Sequence, residues 1–225
     1  MTTISTLSTA QIAALSTAAI AALTTADIVS LTTVQIPALT SAQIAAMTAV
    51  QTAVLSSAQV KALTTAQIVA LTTGQVAALS TKSLVGLESA DLVALSTEQA
   101  AALGSQQVAA LSTAAISKME TADLAALSTT AIRGLTSVQA GVLTSAQIAA
   151  LTTAQIAALS TAAVGKLAVT GIGALSTAQV LALTTGQVAA MSSMQVTSLT
   201  TAQIAALTTA QVAALRATSL AGLAT

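Results

Sequence analysis

Residues 143–164 read LTSAQIAALTTAQIAALSTAAV, in which the same eight residues return with only small changes. On both sides of this stretch Leu, or Met at three places, recurs at every eighth position from Leu7 to Leu223. A second row of Ile, Val or Leu runs with few exceptions from Ile4 to Leu220. Two Ser/Thr residues usually follow each Leu, and Gln usually precedes the Ile or Val. The register holds over 28 octads without an insertion or deletion, so the chain is a repeat array.

The spacing of the two apolar rows selects a helix. Ile12 and Leu15 are three residues apart, which places them on one face of a helix but on opposite faces of a strand. The abundant Ala also favours a helix. One continuous helix is excluded, because eight residues carry each Leu about 80° beyond two full turns and the apolar stripe would wind around the axis. The helix must therefore restart in every octad.

The residues that restart the helix form a known capping pattern. Thr64 and Gln67 fit the capping box, in which the hydroxyl and the Gln side chain each accept a backbone N–H. Leu63 and Ile68 fit the hydrophobic staple that accompanies it. Each octad is predicted to be a capped helix of about two turns that begins at its Ser/Thr, with a sharp change of chain direction at the next Ser/Thr.

One octad cannot fold alone, which predicts an all-α solenoid. Ordering eight residues costs about 12 kcal/mol, whereas burying one Ile and one Leu returns about 3–6 kcal/mol. The motif at 88–95 returns at 120–127, four octads later, and that at 112–119 returns at 160–167, six octads later. These offsets favour two octads per coil. Residues 1–225 are predicted to form a single array of 28 octads without separate caps.

Composition excludes several classes of function. The chain has no His, Cys, Phe, Trp or Tyr, and only 5% of its residues are charged, with a net charge of zero. The commonest general bases, nucleophiles and transition-metal ligands are therefore missing. Aromatic platforms for bases and a basic patch for phosphates are missing as well. We expect no enzyme activity, no catalytic residue, no cofactor or metal site, and no nucleic-acid partner.

The hydropathy pattern argues against a membrane-spanning segment. The mean hydropathy is positive, at +0.89, yet Thr, Ser or Gln interrupts every apolar run well before the roughly 18 residues needed to span a bilayer. The start, MTTISTLSTAQ at 1–11, has neither a basic region nor an apolar core. We expect no transmembrane segment and no cleavable signal peptide.

Departures from the repeat are interpreted first as structural. Pro37 lies inside a helical segment and predicts a local irregularity. Glycines between 165 and 175 predict a weak point in the array. All five Met residues are expected to be core substitutions.

Acidic and Ser-Lys pairs are interpreted as structural or solvated. Carboxylates three residues apart at helix starts are explained by the helix dipole, and a divalent-ion site would need further oxygens. Adjacent Ser and Lys do not face each other on a helix, so they do not predict a nucleophile. These pairs are Glu88 with Asp91, Glu120 with Asp123, Lys82 with Ser83, and Ser117 with Lys118.

The repeat itself resembles a known class. Residues 143–164 and 199–215, the latter reading LTTAQIAALTTAQVAAL, resemble the Thr/Ser-Gln-Ile-Ala-Leu octapeptide repeats of large bacterial secreted or surface exoproteins. The resemblance covers the whole chain. It implies an extracellular or cell-surface location.

Three functional hypotheses follow. In the leading one the chain is a structural protein that assembles head to tail with itself into an extended rod or filament, since MTTISTL and RATSLAGLAT continue the repeat. In the second, rows of Ser/Thr bind a surface such as ice, a mineral or a polysaccharide. In the third, the array is the stalk or spacer of an adhesin.

Overall fold

The computed structural model describes residues 4–215, and every regular element in that range is a short helix. Two are 3-10 helices, η1 (Ile4–Thr6) and η2 (Ile36–Ala38). The α-helices in chain order are α1 (Thr9–Ala13), α2 (Thr17–Ala21), α3 (Thr25–Ser30), α4 (Ser41–Ala46), α5 (Ala49–Ala53), α6 (Ser57–Lys61), α7 (Thr65–Ala70), α8 (Thr73–Ala78), α9 (Thr81–Leu84), α10 (Ser89–Val93), α11 (Thr97–Ala101), α12 (Ser105–Ala110), α13 (Thr113–Lys118), α14 (Thr121–Ala126), α15 (Thr129–Ile132), α16 (Ser137–Gly141), α17 (Ser145–Ala150), α18 (Thr153–Ala158), α19 (Thr161–Val164), α20 (Val169–Gly173), α21 (Thr177–Ala182), α22 (Thr185–Ala189), α23 (Ser193–Thr197), α24 (Thr201–Ala206) and α25 (Thr209–Ala214). The prediction of one short helix per octad is confirmed.

Most of the α-helices begin with the predicted capping box. At α18 the Gln155 N–H donates to Thr152 Oγ1 at 3.2 Å, and the Thr152 N–H donates to Gln155 Oε1 at 2.8 Å. The helix then ends at Leu159, which is extended with φ −57° and ψ 143°. Because this Leu and the Ser/Thr after it are both extended, the chain changes direction over two residues. No described residue needs a positive φ to make these turns.

The two apolar rows form the core. Ile156 is fully buried and Leu159 is 4% exposed, and most of their counterparts along the chain are equally buried. Met47, Met119 and Met191 lie in the Leu row and are buried as predicted. Met194 is an exception, because it is 67% exposed and is no core substitution; Met1 lies outside the described residues.

Helices that pack closely against each other are three octads apart. In one part of the chain α4 packs against α7, and in another α18 packs against α21. Each coil therefore has 24 residues, and the prediction of two octads per coil is wrong. A helix of four to six residues contributes only one Ile/Val and one Leu to the core. Two such helices per coil would give two flat layers with too few apolar side chains between them. Three such helices direct these side chains toward a common interior.

The described residues fall into two compact units, one ending at Lys118 and the other beginning at Met119. Each unit has the same three-octad coil, as α5 with α8 shows in the first and α22 with α25 in the second. In the sequence, the octad register continues through the boundary, since Met119 occupies its place in the Leu row.

Pro37 produces the predicted irregularity. It lies in the first turn of η2, where a 3-10 helix replaces the α-helix of the other octads. The Ile36 N–H still donates to the Thr32 carbonyl at 3.1 Å, but Pro37 has no N–H with which to continue the α-helix. Ile36 and Leu39 on either side of it remain buried.

Candidate functional site

The most elaborate side-chain site is the buried Gln at the third helical position of the octad. Gln155 accepts the cap N–H through Oε1, as described above. Its Nε2 donates to the carbonyl oxygens of Leu124 at 3.0 Å and Leu127 at 2.7 Å, 31 and 28 residues earlier in the chain. Those carbonyls lie in the preceding coil, where one helix ends and the chain turns; this turn is called the corner of the coil beneath. One neutral amide thus caps its own helix and bonds to the neighbouring coil.

The same bridge recurs through both units. Nε2 lies 2.5–2.8 Å from the carbonyl of the Leu or Met at the corner beneath. The bridging residues in the first unit are Gln35, Gln43, Gln51, Gln59, Gln67, Gln75, Gln99 and Gln107. Those in the second are Gln147, Gln155, Gln179, Gln187, Gln195, Gln203 and Gln211. These side chains are buried, and such paired buried polar groups each add about 1 kcal/mol net.

Sequence reasoning identified the cap and missed the bridge. The sequence signal that could have revealed the bridge is that this position has Gln and never Glu. Gln occupies this position in 17 octads and Glu in none, although a capping box accepts either. Only Gln can also donate to a second group. Gln11 on α1 shows the cap alone, because it forms the box but is exposed, and Nε2 has no partner among residues 4–215.

Ser83 replaces Gln at this position on α9. Its hydroxyl donates to the Leu55 carbonyl, 28 residues earlier, and lies 2.6 Å from Ser80 Oγ. Ser83 is therefore buried and fully engaged, while Lys82 beside it is exposed. In the other Ser-Lys pair, the Ser117 hydroxyl donates to the Ala114 carbonyl of its own helix.

Two carboxylates at the same position have opposite environments. Asp27 is partly exposed, and hydrogen bonds from the Thr24 hydroxyl and N–H, at 2.6 and 2.9 Å, lower its pKa. Asp91 is 7% exposed and accepts the Glu88 N–H at 3.0 Å. Burial is the main cause that raises the pKa of Asp91, and it outweighs that hydrogen bond. The helix dipole alone therefore does not explain Asp91.

The acidic pairs do not combine into a metal site. Asp123 is buried like Asp91. Glu88 forms a surface ion pair with Lys61 at 3.3 Å, and such exposed pairs add little stability. Within residues 4–215 no group of three or more Asp and Glu side chains could hold a metal ion.

The outer surface is a regular array of small side chains. In most octads the second Ser/Thr starts the helix, and it is exposed in Thr153, Thr177 and Thr201, which recur one coil apart. A groove of about 530 Å³ interrupts this surface beside Gly104, which has no hydroxyl side chain at its cap position. In the described part of the chain no helix is both long and apolar enough to cross a membrane.

A family model described as the ALTTAQ repeat matches six segments of the chain. They are residues 2–33, 20–57, 51–81, 84–118, 116–153 and 185–225. Neither the curated proteins nor the solved structures contain a match.

Proposed function

This chain belongs to the ALTTAQ repeat family, and from that premise we propose that it is a structural repeat protein that assembles with further copies of itself by stacking coil on coil. The contact between two coils is built from the same parts at almost every level: Ile/Val, Leu and the Gln bridge. The face of one coil therefore fits the face of any other, whether the second coil belongs to the same chain or to another copy.

The observation that carries this proposal is the exposure of core-row residues on α24 and α25. Ile204 and Val212 are 36% and 46% exposed, whereas Val180 and Val188, one coil earlier in the same rows, are 0% and 1% exposed. On α1, Gln11 Nε2 has no hydrogen-bond partner among residues 4–215. A second copy that stacked on these surfaces would bury the apolar side chains and supply partners for the amide.

Charge does not oppose such an association. Six basic and six acidic residues cancel, and from 134 to 215 only Lys166 is charged. A surface with so few charges lacks the mutual repulsion that keeps copies apart.

Sedimentation and electron microscopy at micromolar concentration test this function. We expect assemblies that grow with concentration and dissociate in the double variant Ile204→Glu/Val212→Glu, because a carboxylate on a stacked apolar surface has no partner. Val138→Glu is the matched control, since Val138 is 69% exposed but does not belong to the core rows. A wild-type chain that remains monomeric at all concentrations contradicts the proposal.

We also propose that the protein is extracellular or at the cell surface, on the strength of the resemblance to exoprotein repeats. Cell fractionation with accessibility to an external protease tests this location. Recovery of the protein only from the protected interior fraction would exclude it.

The exposed Thr rows support a second candidate, a module that binds an ordered surface. Thr153, Thr177 and Thr201 present hydroxyls at one-coil intervals. Ice is the simplest such surface to test. Thermal hysteresis that disappears when these three residues become Val or Lys would favour this function over self-assembly, and its absence in the wild type removes ice as a ligand.

A further inference from the structure

We propose that Asp91 is a proton-dependent bridge between coils: its carboxyl, when protonated, donates to the Leu63 carbonyl in the place of a Gln amide, and ionisation removes this bridge. The proposal concerns one corner of the first unit, and it does not depend on self-assembly.

The register identifies the acceptor. Gln59 bonds to the Ile28 and Leu31 carbonyls, which lie 31 and 28 residues before it. By the same offsets, the carbonyls beneath Asp91 are those of Val60 and Leu63. Leu63 is 6% exposed. No N–H or side chain among residues 4–215 donates to its carbonyl oxygen, whereas the corresponding carbonyls under the Gln residues have the amide.

A side chain shorter than Gln can reach this position. Ser83, in the octad just before Asp91, donates to Leu55 with a hydroxyl that is closer to the backbone than a carboxyl. The bridging Gln residues and Ser83, which carry a donor at this position, use it on the corner carbonyl. A carboxylate has no donor to offer, while a carboxylic acid has one and still accepts the cap N–H through its other oxygen.

Few charges surround Asp91. It lies on α10, which packs against α7 and α13. Helix α7 has no titratable side chain, and α13 has only Lys118 at its end. Burial first, and then the charge of Glu88 at the start of the same helix, raise the pKa of Asp91. Lys61 pairs with Glu88 and is largely exposed, so it does not compensate the ionised form of Asp91.

The sign of the pH dependence follows from the raised pKa. The folded state binds the proton more tightly than the unfolded chain, whose Asp pKa is near 3.8. The contribution to stability is therefore complete below that value and is lost as the pH rises through the folded pKa. Asp27 has the opposite sign: its pKa is lowered, so its contribution is present above the unfolded value and is lost as the pH falls.

Carbon-13 NMR titration of the side-chain carboxyls measures this directly. The chain has only three Asp residues, at 27, 91 and 123, and the single Asp→Asn variants assign them. We expect Asp91 to titrate above its ordinary range and Asp27 below it. An Asp91 that titrates at or below the pH at which Asp27 titrates would overturn the proposal.

Thermal melting from pH 3 to pH 8 supplies the second readout. In Asp91→Asn the amide replaces the protonated carboxyl at nearly the same size, so we expect the melting temperature to rise by about 2–4 °C at pH 7 and not to change at pH 3. Asp27→Asn is the matched control in an exposed capping box, and its melting temperature should not rise at pH 7. A shift for Asp91→Asn that is independent of pH, or that has the opposite sign, contradicts the bridge.

Discussion

Residues 40–79 and 80–95 lie next to each other in the first unit, and they differ in every octad at the third helical position. In the first segment every octad has Gln at the third helical position, and each Gln caps its own helix and bonds to the coil beneath. In the second segment Ser83 and Asp91 take that place. The comparison addresses what the amide contributes, since apolar residues occupy both core rows in the two segments, apart from Thr52.

Where Ser83 replaces Gln, the coils approach each other closely. Helix α9, with Ser83, has only four residues, whereas α7 and α8 have six. Gly86 follows α9 so near the Ser57 carbonyl that a Cβ would overlap it. At this octad the shorter side chain in the place of the amide accompanies a residue without Cβ at the contact.

The second unit shows the same relation. Gly171 occupies the Gln position on α20, and a Cβ on it would overlap the Cδ1 of Ile148 in the coil beneath. The core side chain thus fills the space that an amide occupies elsewhere. That residues 165–175 form a weak point of the array remains a prediction from the sequence.

The largest effect is expected from a substitution that removes the amide donor of Gln but keeps the oxygen that accepts the cap N–H. Gln67→Glu preserves the acceptor for the Thr64 N–H but places a carboxylate against the Ile36 and Leu39 carbonyls. We expect the free energy of unfolding at pH 7 to fall by about 3–5 kcal/mol, measured by urea denaturation. The loss should shrink as the pH is lowered, because a protonated Glu can donate again.

Gln11→Glu is the control for this change. Gln11 has the same capping box, but its Nε2 has no partner among residues 4–215, so the free energy of unfolding should change by less than about 0.5 kcal/mol. Equal losses in the two variants would mean that the cap, and not the bridge, is the stabilising part.

The close approach is tested by Gly86→Ala. The new Cβ must displace the Ser57 carbonyl, and we expect a loss of about 1–3 kcal/mol in the free energy of unfolding. Gly74→Ala, on the exposed side of α8, has no atom nearer than 4.0 Å. Gly74→Ala should instead raise the free energy of unfolding by about 0.5–1 kcal/mol, because Ala has a higher helix propensity than Gly. A gain in both variants would show that the coils do not approach at Gly86.

The smallest expected effect concerns the cap hydroxyl alone. Thr152→Ala removes the acceptor of the Gln155 N–H and should cost about 1 kcal/mol in a thermal or urea melt. Thr153→Ala changes the neighbouring exposed Thr and should cost nothing measurable. If Thr153→Ala costs as much as Thr152→Ala, the helix does not begin where the box places it.

Local chemistry explains the parts that were predicted. The helix, its cap at Thr152 and the box with Gln155 depend on residues within eight positions of each other, and the spacing of Ile156 and Leu159 marks the face that faces the core. Such interactions are visible in a single octad. The ALTTAQ family match agrees with this repeat-level reading.

The amino-acid sequence by itself determined the repeating unit: a capped helix with one Ile/Val and one Leu that cannot be stable alone. Only the tertiary structure decided that three octads make a coil and that the Gln amide joins one coil to the next. The physical reason is distance along the chain. The carbonyls that receive Gln155 are 28 and 31 residues away, and because all octads are nearly alike, no pattern marks which of them become neighbours.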